Sequence, residues 1–379
     1  MTDLDQILPL WQELQRTQTE YVLATVVTVE GSGYRKPGAR MLIAADGRRA
    51  GTISGGCLEG EVARRAFWHT ENGPIVRRYS TAAEDGEVPY GMGCGGIIHL
   101  LLERDETAEP VMRRLAASFD EREALAIATV LDGEWIGQRA VWPAGNEVAP
   151  NGSIKAPGLI ASKLEDLACE GFEEQRSFTR SVSLEAGQSA TVCVEWCAAR
   201  PGLFVFGAGD DAIPLAQQAR QLGWYVAVAD GRSHLATCVR FPQAHEVHVL
   251  AAKDFPALRL RATDAAVVMT HSLEQDTRIL RVLLREELAY VGVLGPRRRT
   301  DEILSALAEE SGLSQSRVEA LAEEWGERLH APMGLDLGGS TPGDIALSVI
   351  AEIQQCRHKT SGLPLREVRG HTAGRRVAI

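Results

Sequence analysis

The sequence contains no apolar run near the roughly 20 residues that a membrane-spanning helix needs, so no membrane partner is expected. Its first thirty residues lack a basic segment followed by an apolar core, which argues against a secretory signal and makes the cytoplasm the expected compartment. Thiols stay reduced there, so the 7 cysteines are not expected to form a disulfide framework. No Cys-x-x-Cys pair is present, and Cys193 and Cys197 are assigned to one face of a strand rather than to a metal site.

Cations are the scarcer charge, with 40 Lys+Arg against 51 Asp+Glu and a formal net charge of −11. Binding of nucleic acid by bulk charge needs clustered cations, so no nucleic-acid partner is expected. No Ser-His-Asp order, HExxH run or paired-carboxylate motif stands out, and a hydrolase therefore has no support. What remains is a globular composition, 45% apolar and 24% charged, in 379 residues, a length that suits two or three domains.

The N-terminal half mixes helices and strands. Apolar residues at helical spacing predict a helix over residues 4–14, and a β-branched run predicts a buried strand over 21–29. Asp46-Gly47 predicts a hairpin turn, and a helix is expected over 58–69. Further strands are predicted at 40–45, 49–54, 75–79, 97–103, 125–131, 134–142 and 191–196, with a surface loop at 145–158.

The C-terminal half alternates strands and helices, which predicts a parallel sheet with helices on both faces. A helix is expected over 212–222, and Thr341, Pro342 and Asp344 predict a capped start for the last helix. The predicted class is therefore α/β, with a mixed N-terminal domain over residues 1–197 and a Rossmann-like domain over 198–379. The predicted parallel strands are 203–206, 225–229, 247–250, 265–269 and 290–294.

A glycine-rich turn follows the first of these strands and opens a helix, which is the context of a dinucleotide-binding fingerprint. Gly207 suits the tight turn, and Gly209 suits close approach of the backbone to a pyrophosphate. Asp230 ends the next strand, where an acid commonly bonds a ribose hydroxyl. A Rossmann-type sheet whose tight turn binds nothing is the alternative.

Cys57 follows Gly55 and Gly56 just before a predicted helix. At a helix N-terminus the unpaired N–H groups stabilise a thiolate, and the glycines leave the sulfur uncovered. A small apolar cysteine buried under a turn is an equally good explanation.

Cys94 lies among four glycines, including Gly93 and Gly95. Each glycine costs chain entropy, so close approach of a ligand is favoured over a flexible loop in which Cys94 is incidental. Two such loops in one domain suggest a paired site with Cys57.

Two basic segments are candidate phosphate ligands. Arg35, Lys36 and Arg40 lie in a glycine-rich loop over residues 31–40, which a solvated hairpin loop explains nearly as well. Arg297 follows the last predicted strand, at the sheet edge where α/β proteins bind ligands. A basic helix start on the surface is the alternative for Arg297.

With these motifs in view, the sequence resembles the XdhC/CoxI family, whose members are maturation factors for molybdenum hydroxylases such as xanthine dehydrogenase. In the N-terminal half the resemblance rests on Gly31-Ser32-Gly33 and on the runs that contain Cys57 and Cys94. In the C-terminal half it rests on residues 206–209, 230–232, 270–271, 292–295 and 334–338.

The resemblance implies a cofactor-insertion chaperone more than a catalyst. Such proteins bind the molybdenum cofactor, as molybdopterin or its dinucleotide form, while a cysteine desulfurase supplies the terminal sulfido ligand. They then pass it to the apo-hydroxylase, and a homodimer is expected because it is the commonest oligomer. On this interpretation Cys57 and Cys94 contact or protect the molybdenum, and the residues that hold the cofactor are Cys57, Cys94, Gly55, Gly56, Gly93, Gly95, Gly207, Gly209, Asp230 and Arg297.

The main rival is an oxidoreductase that uses NAD(P) at Gly207–Asp230. It needs a site for hydride transfer, and no plausible catalytic acid follows from the sequence. A scaffold that has lost its ligand site is a second rival.

Overall fold

The structure is a computed structural model that describes residues 2–31, 34–56, 58–80, 96–143, 158–183, 189–250, 258–311, 316, 325–326 and 328–368. The chain divides into two compact units, Met1–Arg200 and Pro201–Ile379. None of the helices in the described part of the chain combines the length and the apolar character that crossing a membrane requires.

The first unit contains two antiparallel sheets and four helices among its described residues. Its five-stranded sheet has the order β3-β2-β1-β5-β4, and its four-stranded sheet has the order β7-β6-β9-β8. The elements are α1 (Asp3–Thr17), β1 (Tyr21–Glu30), β2 (Arg40–Ala44), β3 (Arg49–Gly51), α2 (Glu59–His69), β4 (Ile75–Ser80), β5 (Ile97–Arg104), α3 (Asp105–Glu121), β6 (Leu125–Val130), β7 (Arg139–Trp142), α4 (Gly158–Glu173), β8 (Phe178–Ser183) and β9 (Ser189–Cys197).

Helices cover the apolar faces of both sheets in the first unit. Ile7 and Leu14 of α1 pack with Met112 of α3 against residues from both sheets. The other face of the five-stranded sheet packs against α2 through Val62, while α4 packs on the four-stranded sheet through Leu164. This burial is the main source of stability for the antiparallel sheets.

The second unit is a six-stranded parallel sheet with the order β12-β11-β10-β13-β14-β15. The elements are β10 (Gly202–Phe206), α5 (Ala212–Gln221), β11 (Tyr225–Asp230), β12 (Glu246–Val249), β13 (Ala265–Val268), α6 (Leu273–Leu283), β14 (Tyr290–Val293), α7 (Arg297–Ser311), β15 (Leu329–His330), α8 (Pro342–His358) and α9 (Leu365–Val368). Alternate residues of β10 face opposite sides, with Val205 in the core under α5 and α8 and Phe206 in the core under α6 and α7.

The predicted α/β class, with a mixed first half and a Rossmann-like second half, is confirmed. The hairpin at Asp46-Gly47 forms, and the Thr341 side chain caps α8 in a capping box with Asp344. The helix α4 was not predicted because its apolar periodicity is weak, and β15 is too short for a sequence pattern. The helix α3 was also not predicted, although its buried residues recur at helical spacing around Pro110. The predicted surface loop at 145–158 lies almost wholly outside the described residues.

Two buried ion pairs join the two sheets of the first unit. Arg40 on β2 donates to both carboxylate oxygens of Glu195 on β9, with Nη1 2.8 Å from Oε1. Arg139 on β7 donates through Nη2 to both oxygens of Glu103 on β5, at 2.8 and 2.6 Å. Because these side chains are almost fully buried, each charge depends on its partner for solvation.

Replacing Arg139 with Met should destabilise the protein by about 3–5 kcal/mol, because the Glu103 carboxylate then stays buried without its main cation. Arg64→Met is the matched control, since Arg64 pairs with Glu61 at a side-chain exposure of 75%. Urea unfolding followed by tryptophan fluorescence measures both variants. If both variants lower the free energy of unfolding by the same small amount, the claim that Glu103 depends on Arg139 is contradicted.

Candidate functional site

The loop between β3 and α2 is held by one buried carboxylate. Glu59, the first residue of α2, is 8% exposed. Its Oε1 accepts from the backbone N–H groups of Ile53 at 3.1 Å and Ser54 at 2.9 Å. Its Oε2 accepts from Ser54 Oγ at 2.6 Å and from the Gly56 N–H at 3.0 Å. A single side chain therefore fixes the backbone on the N-terminal side of Cys57.

The hydrogen bonds keep Glu59 ionised. Burial acts to raise the pKa of this carboxyl, but the donors from Ser54 and the backbone outweigh it and hold the pKa below the ordinary value. Ser54 Oγ also accepts from the Leu58 N–H at 3.0 Å, so the same network holds the chain on both sides of Cys57.

The face of this loop that carries the glycines is open. Gly56 has a φ of +110°, which disfavours other residues, and a Cβ built there would meet no atom of the described residues within 4 Å. Gly55 lies against the ring of Tyr34, with 3.2 Å from a built Cβ to Cδ1. Both glycines are exposed, so a bulky group can approach the backbone beside Cys57.

The two predicted thiols themselves lie outside the described residues. The structure describes Gly55 and Gly56. It does not describe Cys57, Cys94, Gly93 and Gly95. The proximity of the two sulfur atoms therefore stays a prediction.

The basic loop near residue 40 is largely taken up by ion pairs. Arg40 is 6% exposed and pairs with Glu195, and Arg35 pairs with Asp3. This favours a structural role for both arginines over phosphate binding. Lys36 is exposed.

In the second unit, the turn after β10 explains why position 207 is glycine. Gly207 has a φ of +123°, and a Cβ there would lie 2.4 Å from the carbonyl oxygen of Met269. The loops after β10 and β13 therefore meet at the carboxyl ends of neighbouring strands. The chain adds β11 and β12 on one side of β10, and it adds β14 and β15 on the far side of β13. The strand order therefore reverses between β10 and β13, and such a switch point is where α/β sheets bind ligands.

Asp230 contributes to this edge in a different way from the prediction. One of its oxygens accepts from the Ala208 N–H at 2.7 Å, and the carboxylate also receives the Arg232 guanidinium at 2.7 and 3.0 Å. Burial acts to raise the pKa of Asp230, but Arg232 and the backbone donors lower it. A ribose hydroxyl would have to compete with Arg232, so the predicted ribose contact stays a prediction.

The acids beside the glycine turn have partners. Asp210 accepts from Arg240 at 2.7 Å, and Asp211 lies 3.0 Å from Nε2 of His271. The Arg240 guanidinium offsets the negative charge of Asp210 next to the N-terminus of α5. A Cβ on Gly209 would lie 2.6 Å from Asp211 Oδ1, so the absence of a side chain there makes room for Asp211.

Arg297 is exposed at the start of α7, beyond the carboxyl end of β14. The arginine two residues later has a structural role instead, because Arg299 donates to Asp276 through Nε at 3.1 Å and Nη2 at 2.5 Å. Gly207, Gly209, Asp230 and Arg297 therefore all lie at one edge of the sheet. Arg240 and Arg299 were not assigned roles from the sequence, because their partners Asp210 and Asp276 are distant along the chain.

A crevice of about 320 Å³ opens beside the same edge, past β14. It is bounded by Gly295, Leu335, Asp336 and Ser348, the last on α8. The Gly334–Gly338 motif thus lines a space large enough for a small organic group.

The fold and the glycine turn at the carboxyl edge of the parallel sheet define the class of this protein. It is a two-unit α/β protein whose second unit is a Rossmann-type sheet. A family model described as the XdhC Rossmann domain matches residues 203–353, and a model described as the XdhC and CoxI family matches residues 14–80. A Bacillus subtilis protein named as a probable subunit of xanthine dehydrogenase is 30% identical over 358 residues, which cover 92% of this chain and 96% of that protein. The chain belongs to the XdhC and CoxI family.

Two further relatives extend over most of the chain. An Escherichia coli protein named molybdenum cofactor insertion chaperone PaoD is 25% identical over 346 residues, which cover 89% of this chain and 83% of that protein. A crystal structure described as a xanthine dehydrogenase from Bacillus halodurans matches with a TM-score of 0.66 and 26% identity, covering 95% of this chain and 97% of that one.

Glu59→Gln should destabilise the loop before α2 by about 3 kcal/mol at neutral pH, because an amide cannot accept from all four donors. The folded-state pKa of Glu59 is lowered, so its stabilisation exists above the ordinary value of 4.5 and is lost as the pH falls through the folded pKa. The unfolding midpoints of the variant and the parent should therefore converge in acid.

Glu61→Gln is the control in the same helical turn, since Glu61 makes only surface pairs with Arg64 and Arg65. Chemical denaturation at neutral and acid pH measures all three proteins. A Glu59→Gln midpoint equal to that of Glu61→Gln at neutral pH would refute the assignment.

Proposed function

We propose that this protein is a maturation chaperone for a molybdenum hydroxylase of the xanthine dehydrogenase or CO dehydrogenase type. It holds the molybdenum cofactor while a cysteine desulfurase supplies the sulfido ligand, and it then passes the cofactor to the apo-enzyme. Membership of the XdhC and CoxI family supports this role, as does similarity to a protein named as a molybdenum cofactor insertion chaperone. The proposed setting is the cytoplasm, and the proposed oligomer is a homodimer.

The observation that carries the proposal is the loop before α2, which is rigidly braced yet open. Three backbone N–H groups and the Ser54 hydroxyl donate to Glu59, and the exposed Gly56 leaves room beside Cys57. Thiolate sulfur suits a soft metal environment such as a metal dithiolene. In the proposal Cys57 and Cys94, with Gly93 and Gly95, contact or protect the molybdenum end of the cargo.

The Rossmann-like domain, residues 198–379, would hold the phosphorylated end. The first turn of α5 offers backbone N–H groups to an anion, and Gly207 and Gly209 bring the backbone close. Arg240 offsets the charge of Asp210, which would otherwise repel a phosphate, and His271 lies beside Asp211. Exposed Arg297 is the proposed cation for the phosphate or an attached nucleotide.

Within this proposal the residues of the domain over 1–197 contact the molybdenum end of the cofactor. Glu59 positions the loop, and the two thiols shield the metal until the client enzyme takes it. The NAD(P) oxidoreductase is less well supported, because the Asp230 carboxylate that would bond a ribose is already occupied by Arg232 and Ala208.

The purified protein should bind molybdopterin, measured as pterin fluorescence after oxidation of the bound fraction. The double variant Cys57→Ala/Cys94→Ala should bind it about tenfold or more weakly, because the contacts to the molybdenum end are lost. Cys169→Ala/Cys238→Ala is the matched control, with two cysteines outside the proposed site.

Equal retention of the pterin by both double variants would favour a scaffold that holds no cofactor through these thiols. Tight binding of NADH, with turnover of a small substrate and no pterin uptake, would favour the oxidoreductase instead.

A further inference from the structure

Two side chains of α8 and one of β15 form a chain of contacts in the second unit. Cys356 near the end of α8 has its Sγ 3.7 Å from Nε2 of His330 on β15. Nδ1 of the same imidazole lies 3.3 Å from Oε1 of Glu352, one helical turn before the cysteine. A thiol, an imidazole and a carboxylate in this order are the arrangement of an activated nucleophile, its base and the group that orients the base.

The carboxylate of this set is itself fixed. Glu352 Oε2 accepts from the Tyr290 hydroxyl at 2.6 Å and from the Gly334 N–H at 2.7 Å. Burial acts to raise the pKa of Glu352, but the bonds from His330, Tyr290 and Gly334 lower it, so the carboxylate stays charged. The ring of Tyr290 also stacks on His330, with centroids 4.3 Å apart and planes at 16°.

This environment selects one tautomer of His330. An ionised Glu352 can only accept, so the proton of a neutral imidazole belongs on Nδ1. Nε2 is then left as an acceptor directed at the thiol of Cys356. The imidazole is held in place by stacking on one side and by the carboxylate on the other, as a general base needs to be.

Simple alternatives explain the set less well. Among the described residues, no group of three or more His, Cys, Asp and Glu side chains has the arrangement of a metal site. Cys356 packs at the margin of the core under α8 and stays partly exposed, so a reagent can reach it. Burial and Glu352 raise the pKa of the Cys356 thiol, so without a base little thiolate would form.

We propose that Cys356 accepts a sulfur atom from a persulfide, with His330 as the base. His330 Nε2 takes the thiol proton, and Cys356 Sγ attacks the terminal sulfur of a donor R–S–SH. A new S–S bond forms as the donor S–S bond breaks. The electron pair leaves on the donor sulfur, which takes the proton from His330 and departs as R–SH. Cys356 becomes a persulfide, and no external oxidant or reductant is needed.

The identity of the donor as a persulfide rests on the proposed function, in which sulfur is delivered to bound cofactor. Ser348, Glu352 and Cys356 follow one another at four-residue spacing along α8. Ser348 lines the 320 Å³ crevice. At 1.5 Å per residue, the thiol lies about 12 Å along the helix from Ser348. Cys356 would therefore store sulfur in the second unit, about two helical turns from this crevice.

The test exposes the full-length protein to glutathione persulfide and follows each cysteine-containing peptide by mass spectrometry after alkylation. Cys356 should gain one sulfur atom faster than Cys238, an exposed cysteine of the same unit that serves as the internal reference. His330→Asn should slow the reaction of Cys356 by about 10²-fold and leave Cys238 unchanged. Cys356→Ser should remove the product altogether.

Misfolding cannot imitate this result, because unfolding would expose Cys356 and speed its labelling. The proposal is overturned if Cys356 reacts no faster than Cys238, or if His330→Asn leaves its rate unchanged. A glutathione adduct in place of the single sulfur atom would also overturn it, since it requires attack on the inner sulfur.

The same samples separate this inference from the proposed function. Cys356→Ser should still bind molybdopterin, because the thiol is outside the proposed cofactor contacts. If the protein binds no pterin but Cys356 still gains sulfur in a reaction that needs His330, the chaperone role is contradicted and the activated thiol is supported. If the protein binds pterin but Cys356 does not react, the activated thiol is contradicted and the chaperone role is supported.

Discussion

The loop that carries Cys57 depends on the ionised carboxylate of Glu59. Four donors from a short stretch of chain converge on it, and the neighbouring Gly56 has open space around it among the described residues. A buried charge satisfied in this way is rigid, because moving any one donor leaves the charge poorly solvated. The described part of this loop can therefore be exposed and still keep one backbone conformation.

The carboxyl edge of the sheet in the second unit carries several acids, and each of them has a partner. Asp210, Asp211 and Asp276 all lie near the carboxyl edge of the sheet, and each has a cation or an imidazole beside it. The edge is thus organised by local pairs rather than by net charge, in keeping with the acidic composition of the chain. The same principle, a carboxylate that fixes its neighbour, recurs at Glu352, where it orients an imidazole toward a thiol.

Several features were readable from the sequence because a few adjacent residues decide them. Asp46-Gly47 specifies a tight hairpin through its backbone preferences, and Thr341 with Asp344 specifies a helix start through reciprocal hydrogen bonds. The parallel sheet followed from short apolar runs that alternate with helices, and Gly207 marked its first turn. The helix α4 escaped prediction because its apolar pattern is weak and its neighbours in the fold are distant strands.

The sequence by itself determined the α/β class, the parallel order of elements in the second half and the loops that carry Cys57, Gly207 and Arg297. Only the tertiary structure decided which charges meet. Arg40 pairs with Glu195, which is 155 positions away in the sequence, and Cys356 contacts His330, which is 26 positions away. The physical reason is that turns and caps are set by interactions between chain neighbours. Pairing of side chains depends instead on the packing of whole sheets and helices, which no short sequence pattern encodes.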